Sequence, residues 1–213
     1  MNIGVVLAGG IGSRFGGNIS KQYQLINGKE VIWYAINALK QSDMIDKIVV
    51  VAKDEHVLRL QNEYGVIGVQ GGDTRNASLK NALDFIHNNF NCKKIIILEA
   101  ARPMITSCIV DDYLTRLDEY DSVITGQRIV DSLGCFAAHT VNRADYYLIQ
   151  APEAFKFDML YDNFRSDSPL TATNQQMPSD STLYINLDFV NNNKITYFAD
   201  LAYCETLMKN EQI

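Results

Sequence analysis

The chain is 213 residues long, 47% hydrophobic and 21% charged, with a formal net charge of -6. These are the proportions of an ordinary globular protein with a substantial core, and an acidic balance argues against a nucleic-acid partner, which calls for a basic face. No run approaches the roughly 18 apolar residues of a membrane span, no basic leader or cleavage site precedes the first apolar run, and the four cysteines form no CxxC pair. One cytoplasmic domain with free thiols and no membrane contact is expected.

Ile3–Leu7 is an apolar, strand-type run that leads directly into a glycine-rich stretch, Gly9 to Gly17, with Lys21-Gln22 just beyond. Val31, Ile32, Ala35, Ile36 and Leu39 recur at helical spacing. The β-branched run in Lys47–Ala52 predicts a strand covered on both faces. A helix over His56–Tyr64 and a strand over Val66–Gln70 follow, broken by Gly71-Gly72-Asp73. Leu79, Ala82, Leu83, Ile86 and Phe90 place an amphipathic helix on Asn76–Phe90. Lys94–Leu98 is another buried strand, stopped by Glu99-Ala100-Ala101-Arg102-Pro103. Ser107 is the expected cap of a helix reaching about Glu119, and Ser122–Thr125 is a further strand.

Beyond Gly126 the pattern loosens. Asp131–Arg143 reads as an arm or loop excursion, Phe155–Phe164 as a helix and Ser166–Pro178 as a polar loop. A helix is expected to begin over Ser179–Leu183 with Ser179 as its cap, then a short strand at Lys194–Thr196 and a closing helix over Tyr197–Met208. Strict alternation of short apolar strands with helices predicts an α/β fold built on a doubly wound, mostly parallel sheet. Such sheets bind ligands beyond the carboxyl ends of their strands. The glycine loop, Gly71–Asp73 and Glu99–Pro103 each follow a strand and should open together on that edge.

Glycines let backbone N–H groups approach an anion closely, and Arg14 and Lys21 add mobile positive charge. The P-loop string is absent, and Phe15 stands where the third glycine of a dinucleotide fingerprint belongs. Gly9-Gly10-Ile11-Gly12-Ser13-Arg14 followed by Lys21 fits the loop of nucleotidyltransferases. His56, His87 and His139 have no metal-ligand spacing, and there is no Gly-x-Ser-x-Gly elbow.

Several linked motifs then occur in order: Leu7 to Arg14 with Lys21-Gln22, Gly71 to Ser78, Ala100-Ala101-Arg102-Pro103, Thr140-Val141-Asn142-Arg143, Gln150 to Phe155 and Asn193 to Thr196. Over nearly the whole chain they resemble the cytidylyltransferases that act on 2-C-methyl-D-erythritol 4-phosphate or ribitol 5-phosphate. The resemblance implies a Rossmann-like sheet with a protruding dimerisation arm, here around 127–150, CTP and Mg²⁺ as co-substrate and cofactor, and a homodimer whose arm reaches the other subunit's site. It implies Arg14, Lys21 and Lys194 as catalytic cations on the phosphates. Leu7, Ala8, Gly9, Gly10 and Gly12, with Gly72, Asp73 and Ser78, would hold the nucleotide. Arg102, Ser132, Arg143 and Ser179 would hold the acceptor, and Glu99 the metal.

The implied chemistry suits the residue types. A phosphate monoester, with a second pKa near 6, is largely dianionic at neutral pH and needs no general base. Positioning two anions and neutralising their charge is then the main task. Some residues depart from the family pattern: Leu98-Glu99 for His-Asp, Asn142 for Asp, Ala151-Pro152-Glu153 for Thr-Pro-Gln, and Ser20 for Pro. Most fall on the acceptor side, leaving methylerythritol phosphate, ribitol phosphate or another polyol phosphate open. A family member that binds nucleotide or a partner without turnover is the alternative.

Overall fold

The computed structural model describes residues 1–10, 15, 16 and 19–211. In chain order its first elements are β1 (Asn2–Leu7), a small hairpin of β2 (Leu25–Ile26) and β3 (Lys29–Glu30), α1 (Val31–Lys40), β4 (Lys47–Ala52), α2 (Asp54–Tyr64) and β5 (Ile67–Gln70). There follow α3 (Arg75–Asn89), β6 (Lys94–Glu99), α4 (Ser107–Arg116), β7 (Ser122–Arg128), β8 (Tyr147–Lys156), α5 (Phe157–Asn163), β9 (Leu183–Asn186) and α6 (Ala199–Glu211).

Seven strands form one sheet in the order β5-β4-β1-β6-β8-β7-β9. β1 pairs in parallel with β4 and β6, β4 with β5, and β7 with β9, whereas β8 runs antiparallel to both its neighbours. The expected α/β, mostly parallel sheet is therefore present. From β1 the chain winds outward to β4 and β5, then returns to β6 on the other side of β1. That reversal creates a crevice between the carboxyl ends of β1 and β6. The register aligns the strand ends, with Leu7 opposite both Val51 and Glu99.

Side chains alternate across the central strands and feed two cores. Val6, Val50, Ile96 and Leu98 pack under α1, α2 and α4, while Ile3, Val5, Val49, Ile95 and Ile97 pack under α3 and α5. Gly4 lacks a side chain because α1 lies against it, and a Cβ there would come within 2.6 Å of Leu39. A third, smaller core joins Phe15, Ile26, Val31 and Met104 to Cys204 and Met208 of α6.

The carboxyl-terminal half differs from expectation. Tyr147–Lys156 is a ten-residue strand, hidden in the sequence by Pro152 and by the buried, polar Glu153, and the helix assigned from Phe155 starts only at Phe157. Ser179 caps no helix; it lies in an exposed turn before the edge strand β9. Here Asp121 ties the turn down, its Oδ2 accepting from Thr182 N and Oγ1 at 2.9 and 2.8 Å. Lys194–Thr196 is not a strand, although Ile195 N donates to Ala101 O at 2.9 Å. Thr106, not Ser107, is the residue preceding α4, and that helix stops at Arg116. The segment expected as an arm begins where β7 and β8 run on beyond their other neighbours: Gly126–Arg128 pair with Ile149–Tyr147, whereas β9 pairs with β7 only as far as Thr125.

Candidate active site

Three strand-end segments meet as anticipated. A cleft of about 550 Å³ is lined by Leu7, Ala8, Gly9 and Gly10 after β1, Gly71, Gly72 and Asp73 after β5, and Glu99 to Ala101 after β6, with Lys21, Ser78 and Lys194. Gly12 and Arg14 lie outside the described residues.

Local hydrogen bonds shape its walls. Lys21 and Gln22 sit on a single 3₁₀ turn, Lys21–Tyr23. Buried Gln22 donates from Nε2 to Ala8 O at 2.7 Å and Gly10 O at 3.1 Å, pinning the start of the glycine loop. Behind the turn, the Tyr23 ring packs 4.4 Å from the His56 ring and 4.8 Å from the Arg59 guanidinium, and Arg59 is itself held by Glu30. Lys21 Nζ reaches across to Ile195 O at 2.8 Å. On the opposite wall Ser78 Oγ accepts from Gly72 N at 3.1 Å. Thr74 caps α3 by accepting from Ala77 N at 3.0 Å. The turn closes so tightly that a Cβ on Gly72 would lie 2.6 Å from Ala77 Cβ.

At the floor is a knot of charge. Glu99 Oε2 lies 2.8 Å from Lys194 Nζ and 3.2 Å from Arg102 Nε, and Oε1 is 3.7 Å from Arg75 Nε. Burial raises the Glu99 pKa, but Lys194, Arg102 and Arg75 together lower it further, to about 2. Lys194 is placed by its neighbours: buried Asn192 donates to Gln150 Oε1 and Ala151 O at 2.9 and 2.7 Å, and Asn192 O accepts from Arg102. A second cavity of about 190 Å³ adjoins the first, shares Arg75, Glu99 and Lys194 with it, and is lined beyond them by Arg102, Gln150, Ala151, Glu153, Thr171 and Ala172.

Arg102 therefore sits in the smaller cavity, but Ser132, Arg143 and Ser179 are exposed and line neither. Arg143 bonds the Val130 carbonyl within its own arm. Sequence reasoning gave no role to Gln22, Arg75, Glu153 or Asn192. Arg75 and Glu153 stood inside quoted motifs, so a signal existed; Asn192 had none, because its work depends on a strand that was not foreseen. Among the described residues no group of three or more His, Cys, Asp or Glu could hold a metal ion. Glu99 can offer one carboxylate ligand, which suits Mg²⁺ only if substrate phosphates and water complete its shell.

A family model described as IspD, 2-C-methyl-D-erythritol 4-phosphate cytidylyltransferase, matches residues 3–210. The 2-C-methyl-D-erythritol 4-phosphate cytidylyltransferase of Clostridium kluyveri is 28% identical, over 99% of this chain and 98% of its own. The bifunctional enzyme IspD/IspF of Pelagibacter ubique is 30% identical over 93% of this chain, which spans only 55% of that longer protein. Among solved structures, 4-diphosphocytidyl-2C-methyl-D-erythritol synthase from Anaerococcus prevotii shares the fold with a TM-score of 0.83, at 18% identity over 98% and 96% of the two chains. With a match running almost from end to end, the chain belongs to the IspD family.

Proposed function

We infer that this chain transfers CMP from CTP to the phosphate of a small polyol, with 2-C-methyl-D-erythritol 4-phosphate as acceptor, giving a CDP-alcohol and pyrophosphate. One observation carries the reading: a nucleotide-sized cleft and a smaller polar cavity meet at a shared set of cations, Arg75 and Lys194 around Glu99. Two anionic substrates need such a meeting point.

In this reading the backbone of Leu7–Gly10, with Gly72, Asp73 and Ser78, holds the nucleoside. Arg14 and Lys21 carry the triphosphate. Lys194 and Arg102 draw the acceptor phosphate toward the α-phosphorus for in-line attack. The acceptor is already ionised, so no residue has to remove a proton. Glu99 would hold Mg²⁺, which would supply further charge neutralisation at the phosphates. Ser132 and Arg143 serve the neighbouring copy of a homodimer through the arm, whose Val130 and Phe136 side chains stand exposed. Ser179, which lines neither cavity, has no part in this arrangement. The whole chain is one nucleotidyltransferase domain carrying this arm. No helix among the described residues is long and apolar enough to cross a membrane, and the four cysteines are unpaired, which suits the cytoplasm.

Pyrophosphate release tests the proposal, with CTP, Mg²⁺ and a panel of polyol phosphates that includes ribitol 5-phosphate. Turnover is expected with the methylerythritol compound and a loss of about 100-fold in Lys21→Ala with the fold retained. Undiminished turnover in that variant would remove Lys21 from the mechanism. Silence across the panel with CTP still bound would mark a chain that binds nucleotide without reacting it.

A further inference from the structure

Glu153 is a carboxylate on the inner sheet strand β8 with only 2% of its surface exposed. Its Oε1 lies 3.2 Å from Arg75 Nη2 and accepts from Thr173 N at 3.4 Å, and its Oε2 accepts from Asn174 N at 3.0 Å. Arg75 spans the same gap, donating to Thr171 O at 3.0 Å and Thr173 Oγ1 at 3.1 Å. Three segments distant in sequence are thereby joined: the start of α3, the middle of β8 and residues 171–174. The joint forms one side of the smaller cavity, which Arg75, Thr171 and Ala172 line. Buried ion pairs contribute little net stability compared with apolar packing of the same volume. What this one does supply is a fixed guanidinium and a fixed loop.

We propose that Glu153 is a positioning residue for the acceptor, holding Arg75 and the 171–174 segment in the one arrangement that shapes the smaller cavity. Glu153 acts through these groups, since its oxygens are taken up by N–H donors. The nucleotide cleft shares Arg75, but its walls are set by other hydrogen bonds, those of Gln22 and Ser78, so Glu153 should affect the acceptor more than the nucleotide. The kinetic test rests on the cytidylyltransferase reading.

Glu153→Leu keeps the approximate size of the side chain but removes both acceptor oxygens, leaving Arg75 Nη2 and the Thr173 and Asn174 N–H groups without them. It should raise KM for 2-C-methyl-D-erythritol 4-phosphate by about 10-fold or more, with KM for CTP nearly unchanged. Thr173→Val removes one acceptor of Arg75 and should move the acceptor KM in the same direction by a smaller factor; it decides the matter if Glu153→Leu does not fold. A parallel rise in both KM values, or no change in either, overturns the proposal. Failure of the unaltered protein to release pyrophosphate would refute the activity instead. The positioning role is then read by calorimetry with 2-C-methyl-D-erythritol 4-phosphate alone: weaker binding in the variant supports it, and equal or absent binding in both proteins overturns it.

Discussion

Replacing Glu99 with glutamine removes a negative charge from among three cations while preserving the shape of the side chain. In the folded protein Glu99 titrates at about 2 against 4.5 for the free side chain: burial opposes its ionisation, and Lys194, Arg102 and Arg75 more than compensate. At 1.36 kcal/mol per pH unit the ionised form is favoured by about 3 kcal/mol on folding. Because the folded pKa is depressed, this stability is present above pH 4.5 and is lost as pH falls toward 2. Glu99→Gln should therefore lower Tm at pH 7 by roughly 6–12 °C, taking 2–4 °C per kcal/mol for a chain of this length. Thermal or urea unfolding of both proteins from pH 7 down to pH 3 measures the difference, which should narrow below about pH 4.5. A variant as stable as the parent at pH 7, or a gap that stays constant through the acidic range, would refute the account of this charge cluster.

Two further substitutions probe the walls of the cleft. Gln22→Ala deletes both hydrogen bonds to the glycine-loop carbonyls, each worth about 1 kcal/mol net. A raised KM for CTP, with little change for the acceptor, is expected in steady-state kinetics; equal effects on the two would contradict a loop-pinning role. Gly72→Ala sets a Cβ 2.6 Å from Ala77 Cβ and 3.1 Å from its backbone carbon, so the turn must open. A stability loss of about 1–3 kcal/mol, with weakened CTP binding by calorimetry, should follow, and a variant that binds CTP normally would show that the close turn is not needed.

Period and punctuation were enough to read the amino-terminal half apart from the β2–β3 hairpin. β1, β4 and β6 are short apolar runs because both their faces are covered, and the helices between them carry their own spacing. Strand–loop–helix alternation then commits the following loops to one edge of the sheet, which is why the convergence of the glycine loop, Gly71–Asp73 and the segment from Glu99 was legible in the sequence. β8 was not legible, since Pro152 and buried Glu153 are poor strand signals; Pro152 falls where the β7–β8 register shifts, and Arg75, Thr173 and Asn174 from elsewhere donate to the Glu153 carboxylate. β9 was missed for a related reason: Leu183–Asn186 is too short to show a period and becomes a strand by pairing with β7.

Local residue types thus specified the glycine loop proposed to cradle the nucleotide, because such a loop with following cations draws its chemistry from contiguous chain. Folding specified the side proposed for the acceptor. Lys194 stands opposite Glu99 only because Asn192 and Ile195 bond to β8 and to the segment after β6. Glu153 meets Arg75 across 78 positions of sequence. Contacts between residues so far apart follow from the order of strands in the sheet, and no periodicity within a single segment encodes that order.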